Sequence, residues 1–455
     1  MSRQPVAAVV GLGINNQPLL PFLQEHGYKV VVADKKPAEE LARTIAERHL
    51  GEPQALYAGP DYLDRLAQAE HPDVVYLTPG MKKTLAPIEA LRAQGARITC
   101  ETDLFLAHCP APVIGITGSA GKTTTTTLVG EALKTDGRHP VFVGGNIGRS
   151  LLGDLAQITP QSWVVMELSS FQLELVEHSP HGAAFLNLSP NHLDIHESMQ
   201  AYGAAKAHIF RFQGPDGWTV VPYHDPAVTP LLTQYAGQLV FFAFQDHQQT
   251  GSFIDNDTIM YRDVHGQVQP IVAVDQVRLP GAHNVLNVLA AVATVKMAGG
   301  DSQALADTIA GFSGVPHRLE KVREHDNILY INDSIATAPD RTMAALKALS
   351  SPLVLIAGGY DKHLDYDALG QAIAHSTVHH VVVLGQTQEK IAQAVARYST
   401  IAVIRAATFD DAIREARRVA KPGDTVLLSP ASASYDMFNN FEERGRRFRE
   451  IVESL

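Results

Sequence analysis

The chain has 455 residues, 45% of them hydrophobic and 19% charged, with a formal net charge of −11 at pH 7. The length predicts about three domains, and the negative charge argues against a nucleic-acid binder, whose affinity depends on clustered Lys and Arg. No apolar run reaches membrane-spanning length, and the N-terminus lacks a signal-peptide pattern. Cys100 and Cys109 show neither metal-ligand spacing nor a disulfide framework. We therefore expect a cytoplasmic globular protein that does not insert into membranes.

The first hundred residues alternate predicted strands and helices, a pattern typical of a Rossmann-like unit. The strands are predicted at Val6–Val10, Lys29–Ala33, Asp73–Leu77 and Arg97–Ile98. The loop that follows the first strand carries Gly11 and Gly13, but Asn16 stands where a dinucleotide fingerprint has its third glycine. This partial match alone supports a dinucleotide site only weakly.

The second predicted unit begins with a strand over Pro112–Thr117, a glycine-rich turn and a helix that starts at Lys122. The backbone N–H groups of such a turn and the positive end of the helix bind anions. The Lys122 ammonium can reach the β- and γ-phosphates, and the Thr123 hydroxyl can hold Mg²⁺. Ile116 replaces one glycine of the usual pattern, yet strand, turn, Lys-Thr pair and helix all agree. The turn predicts a nucleoside triphosphate site.

Polar residues follow two further predicted strands, Trp163–Met166 and Ala183–Leu188. Glu167 comes directly after the first, where a carboxylate is a natural Mg²⁺ ligand; a solvated glutamate at a strand end is the alternative. His192 lies in the polar loop after the second strand and suggests a second metal or phosphate contact. Lys206 stands among small residues on the next predicted helix, and a surface lysine is its default interpretation.

The stretch from Leu239 to Leu279 is rich in predicted β-structure. Its strands are predicted at Leu239–Phe244, Ser252–Arg262 and Ile271–Val277. Three consecutive strands without intervening helices predict an antiparallel patch. A predicted apolar helix over His283–Ala298 then ends at a pair of glycines.

A third α/β unit begins near Gly314. Its strands are predicted at Leu329–Ile331, Leu353–Ala357, His380–Leu384, Ala402–Ile404 and Thr425–Leu428. Polar residues again follow the strands, where α/β sheets usually bind ligands. The fold class is therefore α/β, with domains expected over residues 1–108, 109–313 and 314–455. Polar groups from three domains predict a nucleotide-driven reaction between two other substrates, with domain closure that excludes water.

Short motifs spread over the whole chain carry a family resemblance. In order they are GITGSAGKTT, GGNIG, ELSSFQLE, NLSPNHLD, YGAAKAHIF, HNVLN, PHR, NDS and LLSPASAS. This set closely resembles the Mur ligases of peptidoglycan synthesis, and ELSSFQLE with SPASASYDMFNNFEERG is similar to the glutamate-adding members. The resemblance implies that ATP phosphorylates the carboxylate of UDP-N-acetylmuramoyl-L-alanine (UDP-MurNAc-L-Ala). The amino group of glutamate then attacks the acyl phosphate, and phosphate leaves from a tetrahedral intermediate.

The resemblance also implies a role for each matching position. ATP contacts are expected from Gly118, Ser119, Ala120, Gly121, Lys122, Thr123, Thr124, Asn284, Asn287, Arg318 and Asp333. The UDP substrate is expected at Ile14, Asn15, Asp34, Thr78, Pro79, Gly80 and Ser169, and glutamate at Thr337, Lys362, Ser434 and Phe441. Two Mg²⁺ ions are implied, with ligands from Thr123, Glu167, His192 and a carbamylated Lys206. The residues near the reacting groups are Lys122, Asn146, His192 and Lys206.

Two positions depart from the family pattern beside the expected amino-acid pocket. Ile335 stands where many members have a lysine, and the turn Gly358–Lys362 is bulkier than the commoner form. The identity of the amino acid therefore stays open between D-glutamate, the common substrate of the family, and L-glutamate in a variant ligase.

Three other function classes are weighed against the Mur ligases. A folylpolyglutamate-synthase-like ligase shares the chemistry but lacks an N-terminal UDP unit. A nicotinamide dehydrogenase explains only the loop with Gly11 and Gly13, and a nucleotide-binding regulatory module leaves His192 and Lys206 without a role. Family precedent implies a monomer.

Overall fold

The computed structural model describes residues 3–147, 150–190, 196–233, 235–362 and 364–455. The chain forms two compact units, residues 1–312 and 313–455. In the described part of the chain, every helix falls short of the length and apolarity that crossing a bilayer requires. The predicted domain boundary near residue 109 lies inside the first unit and stays a prediction.

The first unit begins with a parallel sheet that is flanked by helices. Its strands, within the described residues, are β1 (Val6–Val10), β2 (Lys29–Asp34), β3 (Ala55–Ala58), β4 (Val74–Leu77) and β5 (Arg97–Thr99), in the order β3-β2-β1-β4-β5. The helices are α1 (Leu19–Glu25), α2 (Ala38–Glu47), α3 (Tyr62–Ala69), α4 (Ala86–Ala93) and α5 (Glu101–His108). The strand order reverses at β1, so the loops after β1 and β4 flank the crevice where such sheets bind ligands. The Rossmann-like prediction is confirmed.

A second sheet carries the phosphate loop. Its described strands are β6 (Val113–Thr117), β7 (Val141–Gly145), β8 (Trp163–Glu167), β9 (Gly182–Phe185), β10 (Trp218–Pro222), β11 (Gln238–Phe242), β12 (Gly251–Asp255), β13 (Thr258–Arg262) and β14 (Val268–Ala273), in the order β14-β13-β12-β11-β10-β9-β6-β8-β7. The helices are α6 (Lys122–Asp136), α7 (Ser170–Leu173), α8 (Met199–Arg211), α9 (Ala282–Met297) and α10 (Ser302–Gly311). Short 3₁₀ helices occupy Leu152–Gln157, Thr229–Leu232 and Val274–Gln276.

Two sequence predictions for this sheet are wrong. The single strand predicted over Ser252–Arg262 is a hairpin, because Asn256 and Asp257 turn the chain with φ values of 46° and 57°. Asn and Asp tolerate this left-handed conformation better than most residues. The strand predicted over Leu239–Phe244 does not belong to the antiparallel patch: β11 pairs in parallel with both β10 and β12. Among the described strands of this sheet, the antiparallel pairs are β12 with β13 and β13 with β14.

The C-terminal unit contains a third sheet. Its described strands are β15 (Glu320–His325), β16 (Ile328–Asn332), β17 (Leu353–Gly358), β18 (Val378–Leu384), β19 (Ala402–Arg405) and β20 (Thr425–Leu428), in the order β15-β16-β20-β17-β18-β19. The helices are α11 (Pro339–Ala348), α12 (Asp367–Ala374), α13 (Gln388–Tyr398), α14 (Phe409–Val419) and α15 (Phe441–Glu453). All strands are parallel except β15, a charged edge strand that the sequence analysis did not predict.

The apolar core follows both faces of the sheets. One buried cluster joins Phe105 of α5 with Leu151 and Phe185, and so links the helices of the first sheet to one face of the second. The opposite face of the second sheet packs Val165 against Leu289 of α9 and the neighbouring helices. Because this core is continuous, residues of the first two sheets have defined positions relative to each other.

Candidate active site

The phosphate loop between β6 and α6 is held by the loop that follows β9. Asn187 O accepts from Ser119 N (3.1 Å), Asn187 Oδ1 accepts from Ala120 N (2.9 Å), and Asn187 Nδ2 donates to Ala120 O (3.1 Å). Gly121, with φ 83°, precedes the helix and has no side chain that could cap its first turn. The helix N-terminus therefore presents amide N–H groups to an anion.

Two lysines converge on this loop. Lys122 Nζ donates to Gly118 O (2.9 Å) and Ser119 O (3.4 Å). Lys206 is 1% exposed, and its Nζ donates to the same Gly118 O (3.0 Å) and to Thr117 Oγ1 (3.3 Å). Burial, reinforced by the positive charge of Lys122, lowers the pKa of Lys206 to about 7. Lys206 is thus not a surface lysine, and at neutral pH much of it is an uncharged amine.

Glu167 ends β8, the strand next to β6, and is buried. Its Oε1 accepts from Asn146 Nδ2 (2.6 Å), and Asn146 N donates to Glu167 O (2.8 Å). Its Oε2 is buried without a hydrogen-bond partner among the described residues. Such an oxygen is costly to leave unsatisfied, and carboxylate oxygen is the ligand that Mg²⁺ prefers. The residues present therefore fit a Mg²⁺ ion at Glu167.

Helix α9 begins beside the phosphate loop. A Cβ added to Gly121 would lie 2.1 Å from Asn287 Oδ1, so this close approach requires glycine. Asn287 Nδ2 in turn donates to Asn284 Oδ1 (3.1 Å). Tertiary packing thus brings Asn287 against the loop and Asn284 next to it, and their contacts with a nucleotide stay a prediction.

Asp34 shapes the loop that follows β1. Its Oδ2 accepts from Leu12 N (2.6 Å), and its Oδ1 accepts from Lys36 N (3.0 Å). Asn16 is also buried and donates to Gly11 O (2.9 Å). The residue that replaces the third fingerprint glycine therefore has a structural role in closing the loop.

The turn after β4 lies against the same loop. A Cβ added to Gly11, whose φ is 82°, would lie 3.0 Å from Thr78 Cβ. Ile14 in this loop is 62% exposed, which is unusual for a large apolar side chain, and Asn15 is half-buried. The structure thus brings the predicted residues of the loop and the Thr78–Gly80 turn to the crevice beside β1, where a ligand can cover Ile14.

Sequence reasoning missed a buried network at the start of α5. Glu101 is 5% exposed and accepts a hydrogen bond from Ser150 Oγ, while Thr102 Oγ1 accepts from Gln172 Nε2 (3.2 Å). Gln172 forms a capping box with Ser169. Burial raises the pKa of Glu101 to about 7. The first turn of α5 therefore contacts and stabilises the loops after both β7 and β8. Acidic residues are common in the first turn of a helix, so the sequence carries no signal that Glu101 belongs to a buried network.

The other missed residues lie on and before α8. The Tyr202 hydroxyl is 3.3 Å from Ser119 Oγ, and the Tyr202 ring lies 4.8 Å from Lys206 Nζ. His196 is buried, with Nε2 3.0 Å from Ser170 Oγ. The predicted metal ligand His192 lies outside the described residues.

In the C-terminal unit, Asp333 follows β16 and is buried. Its Oδ1 accepts from Leu319 N (3.2 Å), its Oδ2 accepts from Ser429 Oγ (2.7 Å), and burial raises its pKa to about 6. Because Leu319 directly follows Arg318, Asp333 holds the backbone beside that arginine. A direct role of either residue in ATP binding stays a prediction.

The expected glutamate contacts follow neighbouring strands of the third sheet. They are Thr337 after β16, Lys362 after β17, and Ser434 and Phe441 after β20. Desolvation, then the charges of Arg341 and Arg444, lower the pKa of Lys362. Positive charges thus gather at the carboxyl edge of the sheet, and this arrangement suits an anionic ligand.

Comparisons with known proteins agree with these observations. The Mur ligase middle domain matches residues 116–295, and the Mur ligase, glutamate ligase domain matches residues 317–432. The chain is 46% identical to the UDP-N-acetylmuramoylalanine--D-glutamate ligase of Symbiobacterium thermophilum, across 99% of the chain and 98% of that protein. The chain belongs to the Mur ligase family. The enzyme of the same name from Acetivibrio thermocellus is 40% identical, across 98% of the chain and 96% of that enzyme.

Solved structures of other Mur ligases share the fold. The UDP-N-acetylmuramate-alanine ligase of Thermotoga maritima has a TM-score of 0.51 at 21% identity, across 98% of the chain and 99% of that ligase. The MurF of Acinetobacter baumannii has a TM-score of 0.51 at 20% identity, across 84% of the chain and 92% of that protein. As a Mur ligase, the protein is an ATP-dependent amide ligase, and the fold, family and enzyme class predicted from the motifs are confirmed.

Proposed function

We propose that this Mur ligase joins D-glutamate to UDP-MurNAc-L-Ala, with ATP converted to ADP and phosphate, in the cytoplasmic synthesis of peptidoglycan precursors. The observation that carries the ligase chemistry is the convergence at the phosphate loop of Lys122, Lys206 and Glu167 Oε2, an oxygen without a hydrogen-bond partner among the described residues. The choice of D-glutamate is supported by the names of the full-length relatives.

The chemistry requires an activated acyl group, because a carboxylate is a poor acyl donor. The alanyl carboxylate attacks the γ-phosphorus of ATP, so the bond to ADP breaks and an acyl phosphate forms. The glutamate nitrogen then attacks the acyl carbon, loses a proton, and expels phosphate from the tetrahedral intermediate. Lys122 would neutralise charge that gathers on the phosphates, and such stabilisation is the main catalytic need in phosphoryl transfer.

Thr123, Glu167, His192 and a carbamylated Lys206 would hold two Mg²⁺ ions, which polarise phosphoryl oxygens and neutralise their charge. Carbamate formation needs an uncharged amine, whose nitrogen attacks CO₂ and loses a proton. The lowered pKa of Lys206, about 7, supplies that amine near neutral pH. The reaction converts a cation beside Lys122 into an anion, which relieves the repulsion between the two lysines.

The remaining assignments stand as proposals of the same function. Uridine-nucleotide contacts are assigned to Ile14, Asn15, Asp34 and Thr78–Gly80, and glutamate contacts to Thr337, Lys362, Ser434 and Phe441. We propose a monomer. The exposed Ile14 beside the crevice supports the uridine site, and the cationic edge of the third sheet supports the glutamate site.

The decisive experiment is phosphate release by the full-length enzyme with ATP, Mg²⁺ and UDP-MurNAc-L-Ala, comparing D-glutamate with L-glutamate. We expect release that requires all components and strongly prefers D-glutamate. A preference for L-glutamate would assign the protein to a variant ligase and make the region of Ile335 the leading specificity determinant. Phosphate release with a folate substrate, and no binding of UDP, would favour the folylpolyglutamate-synthase-like alternative.

A further inference from the structure

Arg444 is a buried cation on the first turn of α15, with 1% of its surface exposed. Its Nε donates to Ser334 Oγ (2.9 Å), and its Nη2 donates to Ser334 O (2.8 Å). Its Nη1 donates to Ser432 O (3.0 Å) and Ala433 O (3.1 Å). All of these acceptors are neutral, and no ion pair joins the guanidinium to a carboxylate among the described residues.

These hydrogen bonds connect the loops that follow two neighbouring strands: Ser334 follows β16, and Ala433 follows β20. The loop after β17 packs closely against the same backbone, since a Cβ added to Gly359 would lie 2.2 Å from Ala433 O and 3.3 Å from Arg444 Nη1. Tyr360 N, in that loop, donates to Ala433 O (2.9 Å). Arg444 therefore joins the loops after β16 and β20 directly, and the loop after β17 is bonded to them through Ala433.

The same three loops and the start of α15 carry the proposed glutamate contacts. These contacts are Thr337, Lys362, Ser434 and Phe441. Ser334 Oγ extends the network by donating to Phe441 O (2.8 Å), next to the bond it accepts from Arg444. A change at Arg444 would thus move several contacts of one substrate at once.

Hydrogen bonding alone does not explain a charged residue here. A buried charge without a partner is costly, and neutral acceptors could be satisfied by a neutral donor. Arginine has two properties that a neutral donor lacks: donors in a rigid planar fork and a charge that acts over several ångströms at low dielectric. Desolvation and then the charge of Arg341 lower the pKa of Lys362, and the charge of Arg444 adds to the effect.

We propose that Arg444 is the positioning residue of the amino-acid site: it holds the loops after β16 and β20 together, with the loop after β17 bonded to Ala433, and its buried charge favours an amino acid with a side-chain carboxylate. This inference rests on the proposed ligation of glutamate. Arg444 acts through Ser334, Ser432 and Ala433 rather than by touching the substrate.

The test separates the two half-reactions in the full-length enzyme. Acyl-phosphate formation from ATP and UDP-MurNAc-L-Ala is trapped with hydroxylamine in the absence of amino acid, and ligation is measured against D-glutamate concentration. Arg444→Lys keeps the charge but loses the fork, and we expect the KM for D-glutamate to rise about 10-fold or more, the effect of roughly one lost charge-assisted hydrogen bond. We expect trapped acyl phosphate to stay within about 2-fold of wild type, since its chemistry depends on the phosphate loop.

Arg447→Lys is the matched control, because Arg447 lies on the same helix and pairs with Asp410 at the surface. Arg444→Met, which also removes the charge, should raise the KM further than Arg444→Lys. If Arg444→Lys does not fold, as judged by thermal unfolding, Ser334→Ala is the second variant: it removes the hydroxyl that accepts from Arg444 and donates to Phe441 O, and it should raise the KM about 3-fold.

An unchanged KM for D-glutamate in a folded Arg444→Lys variant would overturn the proposal. An equal fall in both half-reactions would also overturn it, since that result indicates a general structural role. Wild-type enzyme that traps no acyl phosphate would instead contradict the proposed function itself.

Discussion

The two regions assigned to ATP and to glutamate are built in different ways. The phosphate loop uses contiguous backbone between β6 and α6, with Asn187 as its brace. The amino-acid edge of the third sheet joins loops far apart in the chain through one buried side chain, Arg444. The backbone that would bind phosphate is therefore one local segment with distant side chains as braces, whereas the amino-acid site is itself assembled from distant loops. Mutations should accordingly separate the two half-reactions.

Lys122→Ala should have the largest effect. It removes a cation from the phosphate loop, and loss of one such preorganised group typically costs about 10²–10³ in rate. We expect phosphate release and trapped acyl phosphate to fall together by that factor. Lys134→Ala is the control, because Lys134 is exposed on the same helix and pairs with Glu131. Near-normal turnover of Lys122→Ala would contradict its role.

Lys206→Ala should fail almost as severely, and short carboxylates such as acetate should restore part of the activity if the lysine acts as a carbamate. In the wild type, the uncharged amine increases as pH rises through about 7, the lowered pKa of Lys206. Activity should therefore rise over that range and fall when CO₂ is depleted. Full activity in CO₂-free buffer, together with no rescue by any carboxylate, would argue against the carbamate.

Glu167→Gln should weaken metal binding while it keeps the acceptor for Asn146 Nδ2. Replacing a carboxylate ligand by an amide removes charge from the Mg²⁺ site, and we expect the half-saturating Mg²⁺ concentration to rise about 10-fold. Mn²⁺ binding followed by electron paramagnetic resonance gives a readout that does not depend on turnover. Glu174→Gln serves as the control, since Glu174 pairs with Lys83. Equal metal affinity in both variants would exclude Glu167 as a ligand.

Glu101→Gln should have the smallest effect on rate and a defined effect on stability. The folded-state pKa of Glu101, about 7, lies above its ordinary value of 4.5. Its contribution to stability is therefore complete below pH 4.5 and is lost as pH rises through about 7. Glutamine cannot ionise. As pH rises from 4.5 to about 7, the free energy of unfolding of Glu101→Gln should therefore increase relative to that of the wild type, by on the order of 2–3 kcal/mol. Urea unfolding of the wild type and of Glu101→Gln at pH 5 and pH 8 tests this. No difference in stability between the two proteins at either pH would refute it.

The sheets and the phosphate loop could be predicted because their signals are local. Buried parallel strands appear as apolar runs, and the start of α6 was predicted at the residue that the structure shows, Lys122. The relative direction of paired strands has no local signal in the sequence. Leu239–Phe244 was assigned to the antiparallel patch, because periodicity does not report which neighbour a strand pairs with. Likewise β15 was missed, since its charged sequence, EKVREH, lies on a sheet edge.

The family, the phosphate loop and most of the candidate site residues could be predicted from the sequence, because short motifs carry their chemistry in consecutive residues. The burial of Lys206 beside Lys122, the carboxylate oxygen of Glu167 that has no partner among the described residues, and the burial of Glu101 and Arg444 could be read only from the folded chain. Burial depends on which distant elements pack around a residue. The pKa of a group and the cost of its charge follow from that packing.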